Sequence, residues 1–230
     1  MAVTLHQLFD HPNFMAIYKP LGVGMHTEAE SLGLQVLAEQ QFGMKLWMVH
    51  RLDKVTSGVL LFAKNADAAA EFTSLFSEQR IEKTYLALSQ SKPKRKQGRI
   101  KGDMVAARNG SYKLLKTQLN PAITDFFSLS VEPGLRLFVC RPKTGKTHQI
   151  RVALKSEGAG ILGDERYGQP ADRTYLHAWR IAFRYQNDAY HIEAAPLEGE
   201  WFNKNTFVDR VKQLENGDYW PEHWQKSQNQ

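Results

Sequence analysis

The amino-acid sequence predicts an α+β fold, a mixed and mostly antiparallel central sheet with helices packed against it. Three observations carry this. Strand-like segments outnumber helical ones, two of them flank the turn pair Pro133-Gly134 as a hairpin, and strands and helices do not alternate regularly as in a parallel array.

Phe14-Met15-Ala16-Ile17-Tyr18 has strand character and is stopped by Pro20 and Gly22. Leu34, Leu37, Ala38 and Phe42 recur at helical spacing, and residues 45–50 read as a short strand. Residues 57–64 form a near-continuous apolar run of strand length, the pattern of a strand covered on both faces. Asn65 is placed to cap a helix reaching Gln79, with Ala69, Phe72, Leu75 and Phe76 on one stripe. Residues 82–89 make a further strand, and 124–131 with 135–141 the hairpin. Residues 147–157 read as a helix ending before Gly158 and Gly160, followed by strands at 175–177 and 190–194 and a helix at 207–214. Trp201, Trp220 and Trp224 near the C-terminal end are expected to pack back onto the domain.

The chain has 230 residues, 42% hydrophobic and 23% charged, enough to bury a core without disulfide or metal staples. It reads as a single domain over 1–230. No apolar run approaches the roughly 20 residues of a membrane-spanning helix, and the first six residues have neither the basic nor the apolar region of a secretory signal. With one cysteine, Cys140, no intrachain disulfide forms. These features point to the cytoplasm, and nothing demands more than a monomer. The net charge is +6, unevenly spread. Between Lys92 and Lys116 nine basic residues, among them Lys94, Arg95 and Lys96, face one acid, Asp103, so the remainder of the chain is net acidic by two. This segment, 92–116, reads as a basic excursion between two halves of the fold. It suits a polyanion, because Lys and Arg that neutralise phosphates release condensed counterions, although a charge run by itself is more commonly a solvated loop.

Several candidate chemistries fail. Thr144-Gly145-Lys146-Thr147 resembles the end of a phosphate-binding loop, but Cys140 stands where that loop needs glycine. The eight histidines include no helical metal pair and there is no thiolate cluster, so neither metal nor cofactor is expected. Cys140, within Leu137-Phe138-Val139-Cys140, reads as a core residue. Two segments are more suggestive. In residues 50–58 a strand ends in His50-Arg51-Leu52-Asp53 and a polar turn leads into the apolar run, which places a carboxylate at the edge of a buried sheet. Taken alone, Asp53 is more simply a turn residue. In the helix after Thr147, Ile150, Ala153 and Leu154 share one face while His148, Arg151 and Lys155 share the other, a cationic face near a helix N-terminus or simple solvent exposure.

Asp53 within HRLDKVTSGVLLFAK resembles the central motif of the RluA-type pseudouridine synthases. Further stretches agree in order and spacing: Tyr18-Lys19-Pro20-Leu21-Gly22-Val23, Glu82-Lys83-Thr84-Tyr85, the run from Lys143 through Thr147-His148-Gln149-Ile150-Arg151 to Val152, Gly163-Asp164-Glu165-Arg166-Tyr167-Gly168, and Leu176-His177-Ala178. The resemblance spans roughly residues 10 to 200. Ala153 replaces the family's usual His, Tyr18 its usual Asn, and the His-Pro pair expected after Leu176-His177-Ala178 is missing. None of these is a catalytic position.

The resemblance implies the pseudouridine synthase fold with an active-site cleft, and isomerisation of specific uridines in rRNA or tRNA without metal, cofactor or ATP. It implies no separate N-terminal RNA-binding domain, since the first motif starts near residue 14. Asp53 would attack uracil C6 or ribose C1′, or assist a glycal route. Burial raises a carboxyl pKa and a nearby cation opposes the rise; Arg151 would be that cation. Tyr85 would stack under the uracil and be available to take the C5 proton. Arg51 would fill the space left by an extruded nucleotide, so RNA loops and single strands are the expected targets. His50, Lys83, Lys146 and His148, with Lys94, Arg95 and Lys96 of the basic segment, would contact the RNA. The competing reading is a catalytically silent RNA-binding or chaperone protein on the same fold.

Overall fold

The computed structural model describes residues 3–28 and 31–225. Its centre is a ten-stranded sheet built from β1 (His6–Asp10), β2 (Phe14–Lys19), β3 (Trp47–Met48), β4 (Ser57–Ala63), β5 (Glu82–Ser89), β6 (Gln97–Gly102), β9 (Ala122–Glu132), β10 (Leu135–Pro142), β11 (Leu176–Tyr185) and β12 (Asp188–Glu193). The order is β1-β2-β4-β11-β5-β10-β9-β6, with β12 on β11 and β3 on β4. β7 (Met104–Ala106) and β8 (Tyr112–Leu114) form a separate ribbon. Every pairing in the sheet is antiparallel except β4 with β11, which touch through His177↔Ser57 and Ala178↔Gly58. The α+β expectation holds.

Periodicity explains how the sheet is covered. All seven residues of β4 are buried, as its apolar run implies. Val59, Leu61 and Ala63 join Phe14, Ala16 and Tyr18 of β2 on one face, where Ala68, Phe72 and Leu75 of helix α2 (Ala66–Ser77) seal them. Leu60 and Phe62 join Met15 and Ile17 on the other face, against Leu34 and Ala38 of helix α1 (Leu34–Phe42). Asn65 caps α2 by accepting the Ala68 N–H at 2.8 Å. Helix α3 (Gln149–Ser156) follows β10, helix α4 (Asn205–Glu215) follows β12, and the short α5 (Glu222–Gln225) ends the described chain. Trp220 and Trp224 pack edge-on against Phe127 with centroids 5.7 and 5.2 Å away, the anchoring expected of them.

Several elements differ from the sequence reading. β1 lies outside every predicted strand; its five residues are half-buried or exposed, so no apolar signal marked it. The strand expected over 45–50 shrinks to Trp47–Met48, because beyond Met48 the chain leaves the sheet to build a loop. The basic segment is less of an excursion than expected. β6 pairs with β9 along six residues as the far edge of the sheet, and only β7, β8 and the following loop project from it.

Gly58 makes the β4–β11 contact possible. Its φ is +118°, and a Cβ there would lie 2.1 Å from the Ala178 carbonyl oxygen. The place where β4 turns from loop to strand, just after Asp53, is therefore fixed by a position only glycine can fill.

Candidate active site

The loop 49–56 connects β3 to β4 and carries Asp53 into a cleft of about 470 Å³. The loop closes on itself through the Thr56 N–H donating to the Asp53 carbonyl at 2.9 Å. It is held from below by Lys19, the last residue of β2, which is fully buried. Its ammonium donates to the carbonyls of Pro20 at 2.9 Å, Thr56 at 2.8 Å and Lys54 at 3.4 Å. Burial brings the Lys19 pKa down to about 7, although the charge of Asp53 opposes the fall. Sequence reasoning missed this role; the available signal was a lysine ending an otherwise apolar strand.

Two histidines brace the loop ends. The His50 ring stacks on Phe76 with centroids 4.7 Å apart, and its Nε2 accepts the Leu61 N–H at 2.9 Å. Beyond the loop, Ser57 Oγ lies 2.9 Å from His177 Nδ1, and His177 Nε2 donates to the Ala194 carbonyl at 2.7 Å. Burial lowers both pKa values to about 3 from an ordinary 6.5. His50 therefore serves the fold as a neutral acceptor in the wall of the cleft.

The unfolded chain protonates these histidines below pH 6.5 and the folded one does not until about 3. Their stabilisation is thus complete above 6.5 and is lost as pH falls. The expected loss is roughly 2–3 kcal/mol per histidine by about pH 4.5. Urea unfolding at the two pH values measures it. His50→Gln, whose amide oxygen still accepts from Leu61, should flatten the dependence; an unchanged wild-type midpoint would contradict it.

Arg151 reaches Asp53 from α3. Its Nη1 donates to Asp53 Oδ2 at 3.2 Å, while Nε and Nη2 grip Asp164 as a fork at 2.7 and 2.9 Å. The Arg151 side chain is 5% exposed and that of Asp164 is 0%, so this is not the solvent-facing cationic stripe read from the sequence. α3 starts at Gln149 rather than Thr147, and all residues from Gln149 to Leu154 are buried. Burial opposes the Arg151 charge, but the hydrogen bond to Asp164 and the carboxylates of Asp164 and Asp53 outweigh it and raise its pKa. Asp164 also accepts the N–H groups of Arg166 and Tyr167, which fixes the turn that presents it. It stood in a recognised motif without an assigned role.

Tyr85 shares the cleft with Asp53. Burial and then the Asp53 charge push its phenol well above the ordinary value, so it stays protonated. His148 precedes α3 with left-handed backbone, φ +57°, and its Nδ1 lies 3.0 Å from the Tyr167 hydroxyl. That hydroxyl also accepts the Tyr112 N–H from β8 at 2.7 Å. Burial and the Arg151 charge lower the His148 pKa.

Arg51, Lys83, Lys143 and Lys146 complete a cationic lining. Burial and the nearby Lys143 bring Lys83 down to about 8. Lys94, Arg95 and Lys96 lie elsewhere. Lys94 donates to the Ser156 carbonyl and Arg95 pairs with Glu157, at the end of α3 remote from Asp53. There Lys94 and Arg95 hold the helix C-terminus. Among the described residues no three His, Cys, Asp or Glu side chains gather as a metal site, and no helix is long and apolar enough to cross a membrane.

The cleft thus offers one carboxylate, 20% exposed, steadied by a buried guanidinium beside a neutral phenol and several lysines. Solved structures share the frame. The human RNA pseudouridylate synthase domain-containing proteins 1 and 4 superpose with TM-scores of 0.73 and 0.71 at 22% and 23% identity, the first covering 95% of this chain and 97% of its own, the second 91% and 93%. The fold is that of the pseudouridine synthases. The family model for RNA pseudouridylate synthase matches residues 13–156. A Haemophilus influenzae protein named as an uncharacterized RNA pseudouridine synthase is 51% identical over 91% of this chain and 96% of its own. A ribosomal large subunit pseudouridine synthase C of Rickettsia bellii is 35% identical over 77% of this chain and 63% of its own, and a tRNA pseudouridine synthase C of Pasteurella multocida 28% over 90% and 97%. The chain belongs to the RNA pseudouridylate synthase family, of the RluA type, and is an RNA-modifying isomerase.

Proposed function

We propose that this enzyme converts specific uridines of rRNA or tRNA to pseudouridine in the cytoplasm, with Asp53 as its catalytic carboxylate. The observation that carries the assignment is the line Asp164–Arg151–Asp53. A buried guanidinium is gripped on two donors by a buried carboxylate and directs a third to Asp53, whose side chain is the most exposed of the three in a cleft that Arg151 also lines. The RNA classes come from the relatives named for ribosomal large subunit and tRNA substrates.

The rearrangement breaks the N1–C1′ bond, turns the uracil, forms the C5–C1′ bond, and exchanges the C5 proton for one on N1. Nothing is oxidised and no group is added, so the chemistry asks for no cofactor. Asp53 acts by adding to C6, by attacking C1′, or by assisting a glycal route. Because its phenol is held protonated, Tyr85 is better suited to bearing the uracil on its ring than to removing the C5 proton. Extrusion of the uridine brings it to the carboxylate, with Arg51 entering the vacated space. Lys83, Lys143 and Lys146 take flanking phosphates, and His148, which lines the same cleft, contacts the bound nucleotide.

The test is tritium release from RNA labelled at uridine C5, prepared from cells lacking this protein. Each turnover frees one tritium. If neither rRNA nor tRNA releases any, the reading fails.

A further inference from the structure

One apolar side chain stands in the open beside this cleft. Leu119 is 94% exposed, whereas no other large apolar side chain among the described residues exceeds 59%. A scattered surface leucine needs no explanation, but this one is held in place. Its N–H and that of Asn120 donate to the two oxygens of Asp103, at 3.0 and 2.8 Å. Asp103 is in turn tied to the same loop through its backbone, accepting from Leu115 at 2.7 Å and donating to Thr117 at 2.8 Å. The one acid of the basic segment is thus spent on bracing a loop. Asn120 lines the active-site cleft and accepts from the Lys146 ammonium at 2.9 Å, which pins the loop to the cleft mouth. Lys113 and Lys116 lie exposed on the same stretch of chain.

A rigid, solvated leucine among lysines at the rim of a cleft suits neither core packing nor solubility. It suits a polyanion whose apolar base faces become accessible where a nucleotide leaves the stack. We propose that Leu119 is a wedge that inserts against the bases flanking the extruded uridine of an RNA substrate and lowers the cost of extrusion. Lysines draw in the backbone, and the leucine replaces stacking lost on unstacking. This rests on the synthase reading and adds an element to it: Arg51 rises from the catalytic loop, and Leu119 from the braced loop on the α3 side of the mouth.

At 94% exposure, substitution should leave the fold unchanged, so an effect reports on RNA. Leu119→Ala and Leu119→Ser are expected to slow single-turnover tritium release from folded RNA by about tenfold, with thermal stability and the salt dependence of binding unaltered, and Leu119→Met to restore the rate. Rates of Leu119→Ser within about twofold of wild type, or Leu119→Met as slow as Leu119→Ala, overturn the wedge. A second measurement does not need catalysis. Leu119→Cys carrying a benzophenone, with Cys140 fully buried and unreactive, should crosslink to one or two neighbouring nucleotides of rRNA or tRNA in the Asp53→Asn background. Crosslinks scattered along the RNA, or to protein alone in a cell extract, overturn it. Absence of tritium release by the wild-type enzyme would count against the synthase reading instead, with the crosslink still deciding the wedge.

Discussion

Asp53→Asn is expected to abolish tritium release from C5-labelled RNA while leaving the protein folded and able to bind that RNA. The amide keeps the side-chain shape and removes the charge. Arg151 is not orphaned by the change, because Nε and Nη2 still hold Asp164. No unpaired buried charge appears, and the large penalty for breaking a buried pair does not apply. What is lost is the group that attacks the nucleoside. For a reaction carried by one nucleophile the expected drop is at least about ten-thousand-fold in kcat. Binding should change little, since the cleft cations Lys83, Lys143 and Lys146 are untouched. Single-turnover release and a filter-binding titration on the same RNA separate the two effects. Activity retained within about tenfold would remove Asp53 from the chemistry, whereas loss of binding alongside activity would make it a contact residue.

The prediction rests on a segment that was legible for two reasons. The strand pattern around Asp53 is strong: a fully buried β4 reads as an apolar run, and its polar approach can only be a loop at the sheet edge. The motif register with Tyr85 and Arg151 then singles out one carboxylate among many. The partner side of the site was less legible. Periodicity placed Arg151 on the polar face of its helix, and hydropathy gives no means of knowing that Asp164, thirteen residues on, would make burial of a guanidinium affordable. Lys19 escaped for the same reason: its acceptors are three backbone carbonyls, which carry no sequence signature. β1 was invisible because an edge strand with half-solvated sides has no alternation to read. The basic segment divides its cations between holding the fold and facing solvent. Its charge density pointed to Lys94, Arg95 and Lys96, but the structure uses Lys94 and Arg95 to hold the end of α3, and the cations lining the cleft come from separate segments of chain.

Asp164→Asn tests the buried half of the line, and its expected signature differs from that of Asp53→Asn. Asp164 is wholly inaccessible and accepts four hydrogen bonds, two from Arg151 and two from the backbone of Arg166 and Tyr167. An asparagine turns one acceptor into a donor facing a guanidinium and leaves the Arg151 charge balanced by Asp53 alone. Breaking a buried pair from one side costs about 3–5 kcal/mol, which for a chain of this size lowers the melting temperature by roughly 10 °C. Activity should fall as well, because Arg151 is drawn onto Asp53 and masks the oxygen that must attack. The double variant Asp164→Asn/Arg151→Met distinguishes this from general damage. With the uncompensated charge gone, part of the stability should return, since a buried ion pair is often no better than an apolar replacement of similar volume. Activity should not return, because Asp53 has lost the donor that aims it. Thermal unfolding and tritium release on the two single variants and the double give the full cycle. If Arg151→Met destabilises Asp164→Asn further, the guanidinium is held by something other than Asp164, and the line of charges does not position Asp53.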